Sequence, residues 1–160
     1  MKRKTTAADL GIDLASKKEE ELFKWLLACL LFGKPIQTNI AAQAYRTIVA
    51  AHLCSPDAIL SAGWDELVRL LDEAHYVRYD FSTATKLLEI SGELKRQYGN
   101  VTNLIAQAKT PRELSAKLQQ FKNVGSVTAR IFLRELRPHW LSARASLQKR
   151  PALHQKRQRN

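Results

Sequence analysis

Residues 118–136 read L-Q-Q-F-K-N-V-G-S-V-T-A-R-I-F-L-R-E-L. The helical apolar pattern stops at Lys122-Asn123-Val124-Gly125-Ser126 and resumes after it, which predicts one helix ending, a tight hairpin, and a second helix beginning. A hairpin between helices needs residues with φ > 0. Gly125 is expected to supply one freely, and Asn123 is among the few other residues that tolerate the left-handed region. Val124 between them is expected to point back as an apolar plug, and the small Thr128 and Ala129 let the two helices approach closely. Bare N–H groups near Gly125, Ser126 and Val127 would then face outward at a helix N-terminus, where anions bind. Arg130, Arg134 and Arg137 recur at helical spacing on one face. The pattern suits a grip on one nucleic-acid phosphate backbone, and an ordinary αα-hairpin with a glycine turn is the plain alternative.

Outward from this segment, the punctuation is helical throughout. Ser16 with Glu19 reads as a capping box opening a helix over 17–32 that is apolar nearly all round, hence central and buried. Gly33 and Pro35 stop it. Thr38 is expected to cap a second helix with Ile40, Ala41, Ala44, Tyr45, Ile48 and Val49 inward. Ser55-Pro56 starts a short helix ending near Gly63, and another covers 64–74 with Leu67, Leu70 and Leu71 inward. Asp80 or Ser82 is expected to cap a helix running to Tyr98, which Gly99-Asn100 ends. A short helix is predicted over 101–109. Thr110-Pro111-Arg112-Glu113 combines a capping box with proline at the first helical position and starts a helix to about Phe121. The last helix covers 126–136, and Pro138 ends it. No strand-like alternation and no internal repeat is found, so the fold class is all-α: a multi-helix orthogonal bundle of roughly eight short helices containing a helix-hairpin-helix. The expected organisation is a basic N-terminal arm over 1–15, a helical domain over 16–140, and a basic disordered tail over 141–160.

The chain has 160 residues, 45% of them apolar, which suits one ordinary domain with its own core. Its longest apolar run, 25–32, is too short to cross a bilayer. The basic start Met1-Lys2-Arg3-Lys4 is followed by polar and acidic residues, so no signal peptide is expected. Two cysteines, Cys29 and Cys54, are too few for a disulfide framework or a four-thiolate cluster. No cofactor and no iron–sulfur cluster are therefore expected, and a reducing, cytoplasmic location fits. The formal charge is +11. Lys2, Arg3, Lys4 and the tail residues Arg144, Lys149, Arg150, Lys156, Arg157 and Arg159 hold most of the excess. Basic ends attract phosphate without regard to sequence, and a solvated tail is the plain alternative. His75-Tyr76 and Arg78-Tyr79 interleave aromatic and basic residues, a pattern that can stack bases and hold phosphates. Alternatively, the tyrosines pack inward and leave Arg78 exposed. The carbonyls of residues 122–127 are a candidate monovalent-cation site, and no other metal ligand set is expected.

Phe121-Lys122-Asn123-Val124-Gly125-Ser126-Val127-Thr128-Ala129 resembles the L-P-G-V-G-x-x-T-A hairpin of the endonuclease III-like (HhH-GPD) superfamily of DNA glycosylases. Asn123 stands where that family has its first glycine. Residues 21–31, E-L-F-K-W-L-L-A-C-L-L, resemble the family's first core helix. Tyr76-Val77-Arg78-Tyr79 leading into Ala84-Thr85-Lys86-Leu87-Leu88 resembles its G-x-Y-x-x-K-A step. Order and spacing fit over about residues 20–136. The resemblance implies double-stranded DNA as partner, bound mainly by its phosphates, with a monomeric protein related to base-excision repair.

The match lacks the family's catalytic groups. The lysine that forms a Schiff base in bifunctional members is Val127 here, which has no amine. The aspartate expected shortly beyond the second hairpin helix is missing, since no Asp or Glu follows Glu135. Glu135 itself is expected to face solvent, and Asp72, Glu73 and Asp80, on the other side of the expected cleft, are the candidates for a displaced carboxylate, Asp80 first. Lys34 takes the loop position where members often carry a glutamine that fills the gap of a flipped base. The expected DNA contacts are Lys122, Asn123, Val124, Gly125, Ser126, Val127, Thr128, Arg130, Arg134, Lys34 and Arg78. The expected function is DNA binding without the usual chemistry. An active monofunctional glycosylase and a helical protein-interaction module are the alternatives. The abrupt change after Trp140 also raises the expectation of a truncated or frame-shifted product of a longer gene.

Overall fold

The computed structural model describes residues 4–139. The 141–160 tail, Trp140 and Lys2-Arg3 lie outside the described residues. The architecture is all-α: α1 Glu19–Phe32, α2 Thr38–Ala50, α3 Pro56–Glu73, α4 Asp80–Gln97, α5 Val101–Gln107, α6 Pro111–Gln119 and α7 Ser126–Leu136. Short 3₁₀ turns at Ala8–Leu10, Leu14–Ser16 and Arg137–His139 complete it. Gly63, at φ 81° and ψ 173°, breaks α3 into the two pieces expected on either side of it.

The core is built around α1. Its residues from Leu22 to Leu31 are buried except Lys24, and it packs against α2, α4, α5 and α7. An α-helix surrounded on all sides needs apolar residues on all sides, which is why its sequence shows no polar face. Two polar groups tie its neighbours to it. The indole N–H of Trp25 donates to the Phe132 carbonyl of α7 at 3.1 Å, and the Tyr76 hydroxyl donates to the Leu31 carbonyl at 2.7 Å. The second bond satisfies a carbonyl in the last turn of α1, where no helical partner remains.

Two proline-led caps form as their sequences predict. Ser55 Oγ accepts the Ala58 N–H at 3.1 Å, and Thr110 Oγ1 accepts the Glu113 N–H at 3.0 Å. Three other expected caps do not form. Ser16 Oγ donates to the Asp13 carbonyl, and the Glu19 carboxylate reaches across to α5 instead of back to Ser16. There it accepts the N–H groups of Val101 at 3.0 Å and Thr102 at 2.7 Å, and the Thr102 hydroxyl at 2.7 Å. The start of α5 offers bare donors and a positive helix end, a stronger acceptor site than the start of α1. Thr38 lies inside α2, whose cap residue is Gln37 with no side-chain bond. Tyr79 precedes α4, while Asp80 accepts the neighbouring Phe81 N–H and Ser82 Oγ donates to the Tyr79 carbonyl.

Residues 4–16 are packed onto the body: Ala7, Ile12 and Leu14 are all buried in the core. The last helix holds them there. The Ala7 N–H donates to Glu135 Oε1 at 3.0 Å, and Arg134 Nη2 donates to the Thr5 carbonyl at 2.6 Å. Glu135 therefore does not face solvent as its sequence position suggested. No described helix is long and apolar enough to cross a membrane.

Candidate nucleic-acid interface

The turn between α6 and α7 is built as its sequence predicts at two positions and differently at a third. Asn123 takes the left-handed conformation at φ 67°. Val124 is buried against the core, its N–H donating to the Phe121 carbonyl at 3.1 Å. Gly125 does not supply a positive φ. It is extended at φ −104° and ψ −172°, and a Cβ placed on it would meet no atom within 4 Å. One left-handed residue suffices for this turn, so glycine is not required here by the backbone.

Gly125, Ser126 and Val127 are exposed, and no side chain caps α7. The first bond of the helix runs from the Ala129 N–H to the Gly125 carbonyl at 3.3 Å. The N–H groups before it stand at the positive end of the helix. The same bond occupies one of the 122–127 carbonyls considered for a monovalent cation, and Phe121 O is likewise taken by Val124. Val127 is 49% exposed at this N-terminus and carries no ionisable group.

The close approach expected from Thr128 is made with the end of α1. A Cβ on Gly33 would clash with Thr128 Oγ1 and lie 3.1 Å from the Cys29 carbonyl. Gly33 thus sets Lys34 near the start of α7. Lys34 Nζ sits 5.3 Å from the centre of the Tyr79 ring, and Arg78 Cζ lies 5.4 Å from the same ring. Both are within cation–π range. Of the two tyrosines, Tyr76 is a core residue and Tyr79 is half-buried under these cations. Lys86, on α4, joins the group from beneath with only 4% of its surface exposed. Burial lowers its pKa from the ordinary lysine value to about 8, and the charge of Lys34 adds to that.

On the other side of α7 a cleft of about 570 Å³ opens between α6 and α7. Arg112, Ser115, Ser126, Arg130, Leu133, Arg134 and Arg137 line it. The three arginines of the α7 face do converge, although Arg134 is already committed to Thr5 and lies 3.5 Å from Glu135 Oε2. Arg112 and Ser115 join them from α6. They were not read from sequence because only the antiparallel pairing of two helices brings position 112 opposite position 137.

Lys122 goes elsewhere. It lines a separate cleft of about 340 Å³ with Glu89, Glu93, Gln120 and Phe121. Asp80 is half-buried next to Asp72, whose pKa is raised by a hydrogen bond shared with Asp80, then by desolvation and by Asp80's charge. Among the described residues no group of three or more His, Cys, Asp or Glu could hold a metal ion.

The charge of the described body is segregated. Residues 109–139 contain seven basic and two acidic residues, while residues 4–108 contain eleven basic and thirteen acidic ones. The turn and its two helices are thus positive on a body that is mildly negative, which aims the field at one end. Compared with known proteins, the chain matches no family model, no curated protein and no solved structure.

Proposed function

We propose that this chain is a DNA-binding protein of the endonuclease III-like superfamily, holding duplex DNA through α6, its turn and α7 as a helix-hairpin-helix within an orthogonal bundle. One observation carries the reading. The N-terminus of α7 is exposed and uncapped, Ser126 at that terminus lines the same cleft as Arg112, Arg130 and Arg137, and Thr128 in the first turn lies against Gly33, the residue before Lys34. Phosphate oxygens accept from such N–H groups, and flanking cations hold the adjacent phosphates. Sequence selectivity is not expected, because contacts of this kind carry no base information. Val127 leaves no amine for lyase chemistry at that point, and Asp80 is occupied by Phe81 N–H and Asp72. DNA binding without glycosidic cleavage is therefore the function proposed.

Gly125→Ala tests it with little ambiguity, because alanine fits the backbone there without displacing anything. Thermal stability should stay within about 0.5 kcal/mol of the parent. Duplex affinity, followed by fluorescence anisotropy, should fall roughly tenfold as the new methyl keeps a phosphate from the N–H groups. Arg130→Glu should weaken binding and flatten the dependence of log affinity on log salt by about one or two contacts. Binding that is absent, or that does not respond to salt, would sink the proposal.

A further inference from the structure

The cleft between α6 and α7 is a charged site in its own right. Three of its guanidiniums, on Arg112, Arg130 and Arg137, have no carboxylate partner among the described residues, and no carboxylate lines the cleft. Arg134 is fixed in the wall by Thr5 O, so one side of the cleft is rigid. Arginine stays protonated at any physiological pH. Three converging guanidiniums without counter-charge repel one another, and a cleft with one sign of charge concentrates its field. The volume lies in the range of small-ligand sites. Ser115 and Ser126 are its neutral polar lining residues, and Leu133 is the sole apolar one. No aromatic side chain is present to stack a base.

These features select a compact, multiply charged anion. Guanidinium forks match phosphate oxygens two at a time. A phosphate diester brings one negative charge, whereas a monoester brings about 1.5 to 2 at neutral pH. We propose that the α6–α7 cleft is a binding site for phosphomonoester or pyrophosphate groups, adjoining the diester contact at the start of α7, with which it shares Ser126 and Arg130. Such a group comes either from the phosphorylated end of a nucleic-acid strand or from a free polyphosphate. Both present the same chemistry. The site is independent of the DNA-binding reading for the free ligand and rests on it for the strand end.

Calorimetric titration of the full chain with pyrophosphate, in the absence of nucleic acid, tests the site. One saturable equivalent is expected, weakened about tenfold by Arg112→Gln and again by Arg137→Gln. Both residues are exposed, and helical circular dichroism verifies that the variants fold. Lys122→Gln, outside the cleft, should leave the titration unchanged. Absence of saturation, or equal binding by Arg112→Gln and Arg137→Gln, overturns the proposal. The source is identified with duplexes carrying either a 5′-phosphate or a 5′-hydroxyl. Preference for the phosphorylated end that disappears in Arg112→Gln assigns the strand terminus. Equal binding of the two duplexes alongside saturable pyrophosphate assigns a free polyphosphate. Saturable pyrophosphate with no duplex binding at all leaves this site standing and removes the DNA-binding reading alone.

Discussion

Lys86 is a cation inside the protein, and the charge that acts on it is another cation, Lys34. Its pKa in the folded state, about 8, lies below the ordinary value of 10.5. Between those two pH values the unfolded chain holds a proton that the folded chain has released. Stability should therefore rise as pH increases from about 8 toward 10.5. Lys86→Met should stabilise the protein at pH 7 by on the order of 2 kcal/mol, part of the shift being discounted for solvent access. The rise with pH should also disappear in that variant, as read by urea unfolding across the range. Gly33 illustrates the opposite constraint, set by space alone. Gly33→Ala should cost about 1 to 3 kcal/mol through its clash with Thr128 Oγ1. Much of that loss should return when Thr128→Ala is added, a coupling that a double-mutant cycle measures directly. The sequence marks Gly33 as a helix stop, which it is. That it is also a contact with a helix ninety-odd residues away is invisible in one dimension.

At the scale of elements, local signals were legible wherever the cap and its target lie in the same turn of chain. Ser55-Pro56 and Thr110-Pro111 both form as written, since proline fixes the first helical φ and the hydroxyl needs only a donor three residues on. Ser16 and Glu19 carry an equally good local pattern, yet the carboxylate is drawn to α5 because that helix end is nearby in space and short of acceptors. Glu19→Gln should accordingly loosen α5 rather than α1. Hydrogen exchange at Val101 and Thr102 should accelerate, with a loss of about 1 to 2 kcal/mol in global stability. The Gly125 expectation failed for a related reason. A glycine in a turn suggests a positive φ, but Asn123 already reverses the chain. Asn123→Gly should be neutral or stabilising by up to about 1 kcal/mol in thermal melts, since glycine pays no Cβ penalty in that region.

For the whole molecule, composition located the positive charge at the chain ends, and the folded arrangement adds a second asymmetry. The positive segment 109–139 is one packed unit, and the remainder of the described body is net acidic. The candidate site was legible in sequence as a turn, a helix start and a row of arginines on α7. Arg112 and Lys86 were not, because each acquires its role from a neighbour on another helix. Arg134 was read as a phosphate contact from its helical spacing and Lys122 from its place in the turn; Arg134 also donates to Thr5 O, and Lys122 lines a cleft with Glu89 and Glu93.

The bonds from α7 to Thr5 and Ala7 join residues 128 and 129 positions apart. The Trp25 bond to Phe132 spans a further 107. A ribosome makes α1 long before it makes α7, and α1 is buried from Leu22 to Leu31 except at Lys24. Until α7 emerges, one wall of the α1 enclosure is absent and the bonds that hold Thr5 and Ala7 cannot form. Folding of this chain must then be completed after most of it has been synthesised, and loop closure over such distances makes the step slow. Nascent chains stalled before residue 126 should stay sensitive to protease and depend on holding chaperones.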